Sequence, residues 1–188
     1  MRALLRPKLT AKIVLLVLLP VLLLSAALAG STLVVLRETA RQQLDERLAL
    51  NLGVAWEVLR GKGKDLRFDE GQLKAGDFAL NDSTEVVDKV AALVGGVCSI
   101  FMGDERVSTT VRGDGGVRVV GSKLGQGPVY ESLFTRHQGF RGEAMVLGDP
   151  YLTAYDPIFD KDGAILGSLV VGVRKAEFLT SVERTERL

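Results

Sequence analysis

The sequence is poor in the residues that build metal centres, disulfides and nucleophilic active sites. Its 188 residues include one cysteine, Cys98, and one histidine, His137. A single cysteine excludes a disulfide within the chain, and a zinc site needs more ligands than these two. Cys98 stands among apolar residues and is expected to be a small buried hydrophobe, whereas His137 is expected to cap a short helix in solvent. We therefore predict neither a metal nor a cofactor.

Catalytic motifs and a strong basic charge are also missing. The sequence contains no HExxH and no GxSxG, and the glycine-rich turn 113–116 is not followed by the Lys and Ser/Thr of a phosphate-binding loop. The formal net charge is +1, from 24 basic and 23 acidic residues. No bulk positive field is available to attract nucleic acid. The sequence therefore predicts a protein that is not an enzyme and does not bind nucleic acid.

Charge is absent from one long stretch. Residues 1–12 carry Arg2, Arg6, Lys8 and Lys12 without an acid, and residues 13–36 carry no charge at all. A helix of that length spans roughly 36 Å, which is enough for a hydrocarbon core of about 30 Å. The upstream cations favour a cytoplasmic N-terminus. This pattern predicts a single-pass anchor over 13–36 in the cytoplasmic membrane, with everything after it outside.

A cleaved signal peptide is the alternative interpretation of the apolar stretch. The segment Ala27-Leu28-Ala29 fits a small-residue cleavage site after an apolar region. Against cleavage, the apolar stretch continues to Leu36 and merges into a helical pattern without a break. Both interpretations export the domain that follows, and the sequence leaves open whether the site is cleaved.

A stalk helix is predicted over 37–63. Apolar residues recur at spacings of three or four, and glycines at 61 and 63 end the pattern. The apolar stripe consists of Leu44, Leu48, Leu52, Ala55 and Leu59. Two interpretations stay open, namely contact with the core of its own domain and a homodimer seam.

The remainder predicts an α+β domain over 64–175. Residues 62–82 are polar and glycine-punctuated, so mostly loop. A helix begins near Asp82, which has capping-box spacing to Glu85, and ends at Gly95-Gly96. Beyond it the period changes from 3.6 to 2, with a short helix at 127–137 and a C-terminal helix over 176–188. Five to six antiparallel strands are predicted, over 97–102, 106–112, 117–124, 140–148, 151–159 and 164–174.

Polar side chains on two of these strands predict a ligand pocket. Alternation places Tyr151, Thr153 and Tyr155 on one face, and hydroxyl groups cannot line a plain core unless each finds a partner. On the earlier strand, Arg106 shares a side with Ser108, Thr110 and Arg112 (for Arg112 we favour a solvated charge). Arginine beside hydroxyl groups suits a small anion such as an organic acid.

Six motifs in order carry a family resemblance. They are "RVSTTV", Gly121 with Lys123-Leu124, "GPVY", "FRGEA", "LGDPYLTAYDPI" and "DGAILGSLVVGV". Over 97–173 the chain resembles the extracytoplasmic single Cache sensor domain of bacterial methyl-accepting chemotaxis proteins. The resemblance implies a PAS-like fold with covering helices, a homodimer, and a small ligand, often a carboxylate. By position it implies these pocket residues: Arg106, Thr109, Thr110, Tyr130, Tyr151, Thr153 and Tyr155. Alternation and the resemblance disagree on whether Thr109 or Thr110 faces inward, which a β-bulge could decide.

The predicted function is that of a membrane-anchored periplasmic sensor domain of chemoreceptor type. A receptor of this kind continues into a second membrane helix, a HAMP linker and a signalling coiled coil, whereas this sequence ends at Leu188. It is expected to be either the N-terminal part of such a receptor or a stand-alone anchored domain. The alternative function is a non-catalytic interaction module that pairs with another membrane receptor and no longer binds ligand.

Overall fold

A computed structural model describes the backbone of residues 7–178. Side chains are described at 16, 18–32, 35 and 42–178. The chain divides into two compact units, Met1–Leu44 and Asp45–Leu188. Residues 1–6 of the predicted cytoplasmic segment, and the predicted terminal helix beyond residue 178, lie outside the described residues.

The first helix, α1, covers Pro7–Arg60 and contributes to both units. In the first unit the hydroxyls of Ser31 and Thr32 donate to the carbonyl of Leu28, each at 2.8 Å. Among the residues that the structure describes, no helix combines enough length and apolar character to cross a membrane.

In the second unit the predicted stripe of α1 lies in the core. Leu48, Leu52, Ala55 and Leu59 are all buried, which agrees with core contact as one of the two predicted roles. Leu50 and Val54 stay exposed on another side of the same helix. The homodimer seam stays a prediction.

A small antiparallel sheet occupies the region predicted as mostly loop. Strands β1 (Leu66–Asp69), β2 (Gln72–Ala75) and β3 (Phe78–Ala79) pair in the order β1-β2-β3. The loop prediction was wrong here because short strands leave little periodicity to detect. Leu73 and Ala75 are fully buried, so alternate residues of β2 are held by tertiary packing that polar composition does not reveal.

The second helix, α2, covers Glu85–Val94 and differs from the prediction at its N-terminus. Its N-cap is Thr84, without a side-chain capping bond, and Asp82 adopts φ 58°. The predicted Asp82–Glu85 capping box is therefore wrong. At the other end Gly95 adopts φ 69° and donates its N–H to the carbonyl of Ala91, as a left-handed C-cap does.

The main sheet is antiparallel with strand order β5-β4-β8-β7-β6. Its strands are β4 (Val97–Met102), β5 (Glu105–Thr109), β6 (Phe140–Val146), β7 (Asp149–Phe159) and β8 (Ile165–Arg174). Five strands agree with the predicted number. Strands β4 and β8, the first and last of this sheet along the chain, pair directly in its centre, so β5 and β7 lie on either side of them.

The predicted strand over 117–124 does not form. Only two isolated bridges occur there, Glu105 with Lys123 and Arg112 with Arg118, and β5 ends at Thr109 instead of extending to 112. Glycines 115 and 116 adopt positive φ and reverse the chain before a regular ladder can start. The segment runs instead to α3 (Pro128–Tyr130), which continues as π-helix over Glu131–Thr135.

The two faces of the main sheet have different neighbours. Helix α2 contacts β4 and β5, and Trp56 of α1 bonds Asp156 of β7. Because alternate residues of a strand point to opposite faces, Tyr155 lies on the face opposite to Asp156. That second face is covered by the segment from residue 121 to 140, whose Leu133 packs against Phe101 and Tyr155.

Candidate functional site

Strand register assembles the candidate site on the face of the sheet that the 121–140 segment covers. Directly opposed residues project to the same side. One row therefore runs Arg106, Phe101, Ser168 across β5, β4 and β8. The adjacent row joins Val170 of β8 to Tyr155 of β7. Arg106 and Tyr155 thus stand on either side of a floor made by Phe101 and Val170.

Arg106 is buried without a counter-charge. Its residue is only 8% exposed, and its Nε has no hydrogen-bond partner. Among the residues that the structure describes, no carboxylate forms an ion pair with it. Its guanidinium carbon lies 4.9 Å from the ring centroid of Phe101, a cation–π contact. Burial lowers the pKa of Arg106, and the phenol of Tyr155 acts in the opposite direction.

Tyr155 completes the polar pair. It is 3% exposed, and its ring meets that of Phe140 edge-on with centroids 6.1 Å apart. Burial raises the pKa of its phenol, and the nearby charge of Arg106 opposes that rise. The two side chains therefore interact electrostatically across the apolar floor. A buried guanidinium beside a phenol can hold a carboxylate by charge-assisted hydrogen bonds.

The covering segment is tied to β5 through its backbone. Arg106 donates its N–H to the carbonyl of Ser122 at 2.9 Å, and Gly121 donates to the carbonyl of Arg106 at 2.8 Å. The N–H of Leu124 donates to the carbonyl of Asp104 at 2.8 Å. The π-helix follows, and such helices are frequent at functional sites. The cover is thus anchored beside Arg106.

A cavity of about 410 Å³ opens under this cover, with Tyr155 in its wall. Most of its lining is apolar, although Gln126 and Glu143 contribute polar groups. The lining residues are Leu124, Gly125, Gln126, Gly127, Pro128, Val129, Phe140, Glu143, Ala144, Met145 and Tyr155.

A bulge separates the roles of the two neighbouring threonines. Ser108 pairs with Ile100 and Arg106 with Phe101, so the register shifts between them. As a result Thr109, not Thr110, shares the face of Arg106. The buried hydroxyl of Thr109 lies 2.7 Å from that of Ser99, while the hydroxyl of Thr110 accepts the N–H of Cys98 at 2.9 Å.

The other predicted pocket residues lie in different surroundings. Thr153 is buried and donates its hydroxyl to the carbonyl of Gly142 at 3.0 Å. Tyr151 is four residues from Tyr155 along β7, roughly 13 Å, and accepts a hydrogen bond from Arg174 Nε at 2.8 Å. Tyr151 and Arg174 border a separate cavity of about 370 Å³. The half-buried ring of Tyr130 contacts that of Phe134 in the covering segment, with centroids 4.9 Å apart and planes tilted by 48°.

Two residues in the row of Arg106, Phe101 and Ser168, were not predicted from the sequence. Phe101 carries the guanidinium of Arg106, and Ser168 is fully buried with an Oγ that has no partner. A signal existed for Ser168, since it is the one hydroxyl residue within the apolar strand "AILGSLVVGV". No comparable signal distinguishes Phe101 from an ordinary core residue.

A hydrogen-bonded chain connects the candidate site to α1. Asp156 accepts from Trp56 Nε1 at 2.9 Å with one oxygen and from Arg141 at 2.8 Å with the other. Arg141 also donates to the carbonyl of Tyr155 at 2.7 Å. The space is tight, because a Cβ on Gly139 would stand 2.7 Å from Asp156 Oδ1. One carboxylate therefore joins the helix to β7 next to Tyr155.

One known protein family matches more than half of the chain. Residues 78–185, more than half of the sequence, match the family described as single cache domain 3. The chain belongs to this family, whose members are ligand-binding modules and generally not enzymes. The predicted Cache identity is confirmed, whereas the chemotaxis context stays a prediction.

No curated protein matches the chain. Among solved structures, the sensor domain of E. coli DcuS is 12% identical with a TM-score of 0.49, over 77% of this chain and 98% of that one. The extracellular ligand binding receptor from Desulfohalobium retbaense DSM5692 is 17% identical with a TM-score of 0.43, over 72% of this chain and 25% of that one. At these scores neither likeness bears on function.

Proposed function

We propose that the chain is a sensor domain that binds a small anion, with the ligand's carboxylate held between Arg106 and Tyr155. The observation that carries this proposal is a buried guanidinium without a carboxylate partner among the described residues. A buried charge is costly unless it is paired. A bound carboxylate supplies the missing partner and accepts a hydrogen bond from the phenol as well.

The cellular setting is proposed from the sequence. The uncharged stretch 13–36 behind four cations supports an anchor in the cytoplasmic membrane, with the sensor outside. The ordered motifs support a receptor of chemoreceptor type. Exposed Leu50 and Val54 on α1 support a homodimer that forms along this helix.

Signal output follows from a difference in ligand affinity between two arrangements of the domain. The chain Tyr155–Arg141–Asp156–Trp56 supports α1 as one output element. Strand β8, which leads into the helical residues 175–178, supports a second.

A thermal-shift screen of the purified full chain against organic acids and amino acids tests the proposal. A ligand at 100 times its Kd should stabilise the fold by about 2.7 kcal/mol. The variant Arg106→Ala should keep the fold and lose this shift, while Arg136→Ala, an exposed arginine on the cover, should retain it.

An equal shift in Arg106→Ala and the parent chain would remove Arg106 from the site. If no acid shifts the parent chain and a membrane receptor co-purifies with it, the interaction module becomes the better description.

A further inference from the structure

The lining of the 410 Å³ cavity narrows the ligand class. Six of its side chains are apolar, and Glu143 is the only charged residue among those that line it. That carboxylate is already paired with the ammonium of Lys175 at 2.6 Å. The cavity therefore offers apolar surface and no cation of its own.

Arg106 does not line this cavity, but shared neighbours connect its guanidinium to the cavity wall. Tyr155 borders the cavity and interacts with Arg106. Leu124, which also lines the cavity, donates its N–H to the carbonyl of Asp104, two residues before Arg106. Leu124 and Val129 pack against the cluster that contains Phe101, whose ring lies under the guanidinium.

From this arrangement we infer that the ligand is a monocarboxylate with an apolar body, aliphatic or aromatic. This inference rests on the proposed function. Arg106 neutralises one carboxylate, and a second carboxylate placed in the cavity would meet apolar walls and the acid of Glu143, which disfavours it. At about 30 Å³ per water-sized atom, the cavity accommodates roughly a dozen non-hydrogen atoms.

The chemistry predicts a graded affinity series. Each methylene that moves from water into the apolar cavity should strengthen binding about fourfold, until the cavity is full. Hexanoate should therefore bind more tightly than butanoate, and butanoate more tightly than acetate. Phenylacetate should bind well, phenylacetamide poorly because it lacks the charge, and succinate more weakly than butanoate.

Isothermal titration of the full chain with these compounds provides the test. The variant Val129→Asn places an amide in the cavity wall and should weaken hexanoate and phenylacetate at least tenfold while acetate changes little. Val117→Asn, at an exposed position outside the cavity, is the matched control and should change neither. Circular dichroism confirms that each variant is folded.

The outcomes distinguish the apolar ligand class from the anion site at Arg106. A flat series, or succinate tighter than butanoate, overturns the apolar ligand class; the proposed anion site survives if Arg106→Ala still abolishes binding. Acid binding that is unchanged in Arg106→Ala overturns both.

Discussion

Replacing Arg106 should stabilise the unliganded protein while it removes binding. The buried Nε without a partner costs about 1–3 kcal/mol. The cation–π contact with Phe101 at 4.9 Å stabilises the fold by about 0.5–2 kcal/mol. Methionine has a similar apolar stem and needs no hydrogen bond at this position. We therefore expect Arg106→Met to gain roughly 1 kcal/mol of unfolding free energy, or about 2–4 °C in Tm.

The measurement is chemical denaturation of the parent chain and two variants, with and without a bound acid. Arg136→Met is the control, because its side chain is exposed on the covering segment and its stability should change by less than about 0.5 kcal/mol. With ligand, the order should reverse, since only the parent and the control gain binding energy.

The reasoning fails if Arg106→Met loses more than about 1 kcal/mol without ligand. That result would mean that the guanidinium stabilises the fold without a ligand. Its burial would then be no evidence for a bound anion. Gain of stability together with retained binding would instead separate Arg106 from the ligand.

Three further predictions test other parts of the structure. Gly167→Ala should cost about 1–3 kcal/mol or more in urea unfolding, because its Cβ would overlap the carbonyl of Phe101 in β4; Gly53→Ala, on an open side of α1 with nothing within 4 Å, should instead gain about 0.5–1 kcal/mol. Cys98 is fully buried and burial raises the pKa of its thiol, so Ellman's reagent at pH 8 should label it only in denaturant, and rapid native labelling would contradict its burial. Asp156→Asn should shift the fluorescence of the single tryptophan and cost about 1–2 kcal/mol, since an amide offers only one acceptor oxygen; an unchanged spectrum would argue against the coupling to α1.

The candidate site shows where strand alternation stops being informative. Alternation correctly places Tyr151, Thr153 and Tyr155 on one face of β7, and pairing with β8 bears this out. It fails on β5, where one extra residue after Arg106 moves Thr109 onto that face. A bulge depends on the partner strand, so the sequence of β5 alone could not place it.

Residues on the same face of a strand need not line the same pocket. Tyr151 and Tyr155 are one pattern in the sequence, yet Tyr151 bonds Arg174 beside another cavity. Their separation along β7 exceeds the reach of a small ligand. Phe101 faces Arg106 across the β4–β5 hairpin, whereas Ser168, far away in the sequence, joins their row only because β8 pairs with β4.

Local patterns in the sequence determined the α+β class, the positions of α1, α2 and most strands of the main sheet, and the burial of Cys98. These features depend on hydrophobic period and turn residues, which act over a few positions. The tertiary structure alone decided the small sheet β1–β3, the irregular course of 117–124, and which arginine is buried. Those outcomes depend on strand order and register, because burial of a side chain is set by whatever segment packs over it.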